Sequence, residues 1–184
     1  MGSRSVPFGL FSGCSVGKFG DESNIVIDPL EKHNRLTQLD MNFLSILVQE
    51  LEKNNQNRNN LIYFPNNSLY KIGKNLRYVE YKYEFSRKRY FTISITNSEF
   101  IDLVIAKSRE GLRIKEIIDF LIKIDSEVSE NDALAFINNL IDNQILVSSL
   151  SSYLTGEQYL SKIKNSVFLK SHKRILKEIE GILN

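Results

Sequence analysis

The chain has no tryptophan, one cysteine (Cys14), two histidines and no long apolar run. A single cysteine excludes an internal disulfide framework and suits a reducing compartment. His33 and His172 lie far apart with no ligand spacing around them, so no metal site is expected. No apolar stretch approaches the roughly 20 residues of a membrane-spanning helix. No basic-then-apolar signal peptide opens the chain. A cytoplasmic protein without a transmembrane segment is therefore expected. Lys and Arg are missing from Ile124 to Ser161, where Asp125, Glu127, Glu130, Asp132, Asp142 and Glu157 stand.

Basic residues gather earlier instead. Lys71, Lys74, Arg77, Lys82, Arg87, Lys88 and Arg89 are opposed there by Glu80 and Glu84. The net charge of +2 therefore hides a basic and an acidic half. Apolar residues at 42% and charged residues at 25% are ordinary for a globular chain. At 184 residues the chain can bury a core unaided, as one large or two small domains.

Three segments are expected, 1–58, 60–148 and 149–184. In the first, Asn24–Asp28 is a short strand candidate. Thr37 and Asp40 have capping-box spacing ahead of a helix carrying Phe43, Leu44, Leu47, Val48 and Leu51. The asparagine-rich run from Asn54 to Asn60 reads as a polar loop and a boundary. In the second, Leu69–Ile72 and the turn Gly73-Lys74-Asn75 lead into a strand. Along that strand Val79, Tyr81, Tyr83 and Phe85 alternate with Glu80, Lys82 and Glu84. After a turn at Ser86-Arg87-Lys88, Phe91, Ile93 and Ile95 alternate with Thr92 and Ser94. Period-two alternation predicts an antiparallel sheet with one apolar face.

Three helices follow. Thr96 and Glu99 have capping-box spacing for the first, and Gly111 stops it. Ile114, Ile117, Ile118 and Leu121 mark the second. Ser129 and Asp132 open the third, with Leu134, Ile137, Leu140 and Ile141 as its stripe. Leu146-Val147 returns as an extended segment. The third segment reads as one or two amphipathic helices with nothing of their own to cover them. The fold class is α+β: a small antiparallel sheet with helices, winged-helix-like in its centre.

Ser3-Arg4-Ser5-Val6-Pro7-Phe8-Gly9-Leu10-Phe11 closely resembles the arginine–Pro-Phe-Gly-Leu-Phe signature of the N-terminal part of lantibiotic dehydratases. His33-Asn34-Arg35, Leu39-Asp40-Met41-Asn42, Phe64-Pro65-Asn66-Asn67-Ser68-Leu69-Tyr70 and Leu76-Arg77-Tyr78-Val79-Glu80-Tyr81 continue the likeness. The signature begins almost at the first residue, so a fragment of the glutamylation domain is expected. The resemblance implies transfer of glutamate from glutamyl-tRNA to Ser or Thr hydroxyls of a precursor peptide, then elimination of glutamate. It places Arg4 and Asp40 in the transfer site, with glutamyl-tRNA as co-substrate of the complete enzyme and no other cofactor. Two departures stand out. An arginine usual four residues before Arg4 would precede Met1, and Val6 replaces a hydroxyl residue. Peptide binding without complete catalysis is expected of this chain alone.

The same resemblance makes residues 60–148 a precursor-peptide recognition element. An extended leader would pair with the sheet edge and lay apolar side chains beside the third helix. Phe91, Ile93, Ile95, Phe136, Ile137 and Leu140 are the peptide-binding candidates. A stand-alone peptide-binding module is the alternative, and homodimerisation is left open. A DNA-binding winged helix is disfavoured, because the third helix offers Glu130, Asp132 and Asp142 but no cation to phosphate. Gly13, Gly17 and Lys18 are not a phosphate loop, since Ser12 and Phe19 break the pattern.

Overall fold

The computed structural model describes residues 16–33, 39–84, 87–151, 159–166 and 170–183. Two compact units divide the chain at Met1–Leu36 and Thr37–Asn184. In the first unit, Lys32 pairs with Asp28 at 3.2 Å across a short 3-10 turn, Leu30–Lys32. The strand candidate at Asn24–Asp28 forms no regular element, and Ile25, Val26 and Ile27 are exposed.

In the second unit α1 (Met41–Lys53) opens on Asp40, whose carboxylate accepts from the amides of Asn42 and Phe43. Asp40 is thus itself the N-cap rather than the third residue of a capping box; Thr37 lies outside the described residues. The asparagine run is not a loop. Asn54 ends α1 and caps α2 (Asn55–Asn60), its side chain accepting from Gln56 and Asn57 amides. Asn57 is 1% exposed and donates to the Leu51 carbonyl. The short amides that suggested a loop satisfy a tight turn between two helices.

β1 (Tyr63–Pro65) pairs with β5 (Leu146–Ser148) in a small antiparallel sheet. β2 (Tyr70–Ile72), β3 (Asn75–Glu84) and β4 (Arg87–Thr96) form the antiparallel sheet expected, in the order β2-β3-β4. The hairpin tip, Phe85 and Ser86, lies outside the described residues. The phase of β3 differs from the simple alternation. Leu76, Tyr78 and Glu80 are buried, Val79 is exposed, and Tyr81 and Tyr83 are half-buried. Both faces are covered, at opposite ends. Leu76 and Tyr78 join the main core, while Tyr81 and Tyr83 are half-buried on the opposite face, where Tyr81 shares a cavity with Ser45 and Gln49 of α1.

α3 (Glu99–Lys107), α4 (Ile114–Ile124) and α5 (Glu130–Asp142) follow. Ser98, not Thr96, caps α3, because its hydroxyl accepts from the Ile101 amide. Ser129 caps α5 as its spacing predicts. The buried residues of α4 are Ile114, Ile117, Ile118 and Leu121, the stripe read from the sequence. Burying each such side chain stabilises the fold by roughly 1.5–3 kcal/mol. α6 (Tyr159–Ser166) and α7 (Lys170–Leu183) complete the unit. They are not left uncovered: Tyr159, Ile163 and Leu176 join the same core as Leu44, Val48 and Ile137. None of the described helices is long and apolar enough to cross a membrane.

Gly111 holds the turn between α3 and α4 at φ +86°. A Cβ there would lie 2.6 Å from Ile62 Cγ2 and 2.7 Å from the Phe64 ring. Gly111→Ala therefore combines an unfavourable φ with a clash against β1. We expect a loss of about 2 kcal/mol or more in urea denaturation. A loss under about 0.5 kcal/mol would mean that β1 yields freely.

Candidate functional site

β4 is the outer strand of its sheet, and its open edge is the candidate peptide site. In an antiparallel pair, opposite residues alternate between bonded and non-bonded pairs. The Asn97 amide donates to the Lys74 carbonyl at 3.0 Å. In the β3–β4 register the bonded pairs are then Leu76 with Ile95, Tyr78 with Ile93 and Glu80 with Phe91. It follows that the main-chain groups of Tyr90, Thr92 and Ser94 point away from β3. No strand lies beside them among the described residues.

The opposite edge is closed. β2 reaches only as far as Arg77. Beyond it, the Val79 amide donates to Ser68 Oγ at 2.9 Å, and Asn66 Nδ2 donates to the Val79 carbonyl at 3.0 Å. The Tyr81 amide donates to Gln144 Oε1 at 3.1 Å, and Gln144 Nε2 returns a bond to the Tyr81 carbonyl at 2.8 Å. Side chains thus occupy the positions of a missing strand.

The peptide-binding candidates fall into two groups. Phe91 is 39% exposed, and Ile93, Ile95 and Phe136 are half-buried against the core. Ile137 and Leu140 are 0% and 2% exposed and belong to the hydrophobic core, so they offer a peptide no surface. Tyr90, on the other face of β4, is strongly exposed.

Of the transfer-site candidates, Arg4 lies outside the described residues. Asp40 is exposed, and its carboxylate holds the start of α1 at 2.8 Å from the Asn42 amide. No group of three or more His, Cys, Asp or Glu among the described residues could hold a metal ion.

A cavity of about 330 Å³ lies beside the distal half of the hairpin, lined by residues of α1, α2, β1, β3, β4 and β5. It gathers ionisable groups that sequence reasoning missed. Glu52 accepts from the Ser148 hydroxyl. Burial pushes its carboxyl above the usual range, against the pull of Ser148, Arg58 and Lys88. Arg58 bonds Asp142 at 2.8 Å. The Lys88 ammonium sits 4.4 Å from the Tyr81 ring centre, and burial lowers its pKa while Glu52 raises it. Burial, helped by Glu52, pushes the Tyr81 phenol up to about 12. The one signal in the sequence was Glu52 itself, four residues after Val48 on the apolar stripe of α1.

The direction of the Glu52 shift fixes a pH dependence. Between the ordinary 4.5 and its higher folded value, the folded chain keeps a proton that the unfolded chain has lost. This contribution is fully present below the unfolded value and falls as pH rises through the window. Glu52→Gln removes the titration and keeps an acceptor for Ser148. The variant's stability relative to the parent should be flat below pH 4.5 and rise above it in denaturation curves. Asp102, whose carboxyl Lys71 holds below its usual range, cancels in the comparison. A difference constant across pH would refute the burial of a titrating Glu52.

Comparison with known proteins places this geometry. The family model described as lantibiotic dehydratase, N terminus, matches residues 1–184. The epidermin biosynthesis protein EpiB of Staphylococcus epidermidis is 26% identical over 167 residues, which are 91% of this chain and 17% of that protein. The subtilin biosynthesis protein SpaB of Bacillus subtilis is 24% identical over 153 residues, 83% of this chain and 14% of its own. The crystal structure of the tRNA dependent lantibiotic dehydratase MibB from Microbispora sp. 107891 matches with a TM-score of 0.59 at 15% identity. That match covers 72% of this chain and 12% of MibB, and shows a shared fold. The chain thus spans under a fifth of the relatives it matches, and by its family match over the whole of its length it belongs to the N-terminal part of the lantibiotic dehydratases.

Proposed function

We propose that this chain is the portion of a lantibiotic dehydratase that binds the leader of a ribosomal precursor peptide and contributes to tRNA-dependent glutamylation of its Ser and Thr residues. The observation that carries the reading is the ten-residue strand β4, open along one edge. An extended leader would add there as a fourth strand, its amides and carbonyls meeting those of Tyr90, Thr92 and Ser94. Backbone pairing gives affinity with little demand on sequence. Leader residues on the Phe91 side would meet Ile93, Ile95 and Phe136, and that apolar contact supplies selection. Residues 60–148 serve in this reading as a winged-helix-like recognition element. The acidic α5, with Glu130, Asp132 and Asp142 and no Lys or Arg, is unsuited to nucleic acid.

The transfer step itself needs glutamyl-tRNA and parts of the enzyme beyond this chain. Arg4, with its fixed charge and forked donors, would hold a carboxylate or phosphate of that co-substrate. Asp40 would act in glutamyl transfer to the hydroxyl. Esterification makes the later elimination easier, because a carboxylate leaves more readily than hydroxide.

Thr92→Pro tests the edge. Proline removes an outward donor and is tolerated on edge strands. We expect leader binding, measured by titration calorimetry with the cognate leader, to weaken by about tenfold or more. Phe136→Ala should weaken it by a similar factor with a small fall in melting temperature. Unchanged affinity in both variants would exclude β4 as the docking edge.

Arg4→Ala or Asp40→Asn in the complete enzyme should abolish glutamylation, read by mass spectrometry, with leader affinity unchanged. Asn keeps most of the capping capacity of Asp40, so a loss of activity separates chemistry from helix capping. Normal glutamylation by both variants would leave Asp40 a cap alone.

A further inference from the structure

The sheet has two edges, yet the strand-addition reading uses one. Nothing in the backbone makes β3 a poorer acceptor than β4. Each strand has ten residues, and β2 leaves β3 uncovered beyond Arg77. What distinguishes them is a row of side chains. Ser68 and Asn66 take the amide and carbonyl of Val79, and Gln144 takes both groups of Tyr81.

We infer that Gln144, with Asn66 and Ser68, forms a side-chain strand that closes the β3 edge and so directs an incoming peptide to β4. This rests on the strand-addition reading above and makes these three specificity-determining residues for it. The Gln144 amide exchanges two bonds with Tyr81 in the manner of a bonded strand residue. Its backbone stands at φ +56°, the one positive φ outside glycine among the described residues. Glycine is the usual occupant of such a position after a helix, but glycine has no side chain to reach Tyr81. The strained backbone therefore persists where the side chain closes an edge. Asn66 ties the row together, since its Nδ2 also donates to the Gln144 carbonyl at 2.8 Å, and its Oδ1 accepts from the Ser68 amide and hydroxyl. Residues 66 and 144 come from separate parts of the chain and converge on one short run of β3. A peptide on that edge would lie at the side of the cavity lined by Gln144, Tyr81 and Glu52, across β3 from the open edge of β4. The closure also withholds the edge from a second copy of the chain, the ordinary hazard of an open strand.

Gln144→Gly with Ser68→Ala tests this. Glycine suits the positive φ, so the first change removes a side chain without straining the fold. The second frees the Val79 amide. The probe is a synthetic peptide of alternating valine and threonine with a lysine at each end, added to the 184-residue chain. Amide hydrogen exchange is followed by NMR. In the parent, the peptide should slow exchange at Tyr90, Thr92 and Ser94 and leave Val79 and Tyr81 unchanged. In the variant, Val79 and Tyr81 should exchange about tenfold faster without peptide and slow again when it is added, as a second peptide binds. If the double variant does not fold, Gln144→Gly alone gives the same readout at Tyr81. Two results overturn the inference: Val79 and Tyr81 staying slow in the free variant, or exchanging fast and not responding to peptide. Slowing at Val79 and Tyr81 in the variant with no effect on β4 would refute β4 docking and uphold the closure. No response on either edge refutes both.

Discussion

The second unit depends on a junction of amides where its two sheets meet. β1 and β5 make one sheet and β2-β3-β4 the other, with no backbone ladder between them. Asn66 bridges them. Its amide donates to the Ile145 carbonyl at the start of β5, while its side chain reaches Val79 of β3 and the Gln144 carbonyl. Gln144 completes the bridge through Tyr81. Each such bond contributes only about 0.5–1.5 kcal/mol net, but a buried partner left unsatisfied costs about 1–3 kcal/mol. The junction is worth more as a constraint than as a sum. It fixes where α5 ends, and thereby the place of Phe136, Ile137 and Leu140 relative to the hairpin.

What the sequence disclosed follows from the range of the interactions involved. The α4 and α5 stripes and the Ser129 cap are local, and period or spacing alone carries them; the turn expected at Ser86-Arg87-Lys88 is shorter than that, since Arg87 and Lys88 already belong to β4. The family signature disclosed the family because it is contiguous. The phase of β3 was not legible, because α1 covers Tyr81 and Tyr83 while the main core takes Leu76 and Tyr78. A strand covered on opposite faces at its two ends has no single alternation to read. The asparagine run misled because the amides that favour loops also cap helices. The role of Gln144 was not legible, as its bonds to Tyr81 span 63 residues. A non-glycine residue just past the end of α5 was the only hint of its conformation.

The cavity shows how burial sets charge here. Arg58 and Asp142 neutralise one another, as do Lys53 and Glu50 at its rim. Burial drives Glu52 and Lys88 toward their neutral forms, and their mutual attraction opposes this. Ser148 and Arg58 favour the Glu52 carboxylate more strongly than Lys88 does, and the Tyr81 ring faces the Lys88 ammonium. Because Glu52 belongs to α1 and Lys88 to β4, their attraction links the helix to the edge strand.

That tie bears on how binding and chemistry would be linked in the proposed reading. α1 has 13 residues, so at ~1.5 Å per residue its ends are roughly 18–20 Å apart. Asp40 caps one end, and Ser45, Gln49 and Glu52 face the cavity that Tyr81 of β3 and Lys88 of β4 also line. One helix therefore carries both the candidate transfer residue and the groups beside the distal half of the hairpin. A leader paired with β4 would be held in a fixed relation to Asp40, and only the flexible precursor beyond the leader would have to move, which allows one docked leader to present several Ser and Thr residues in turn.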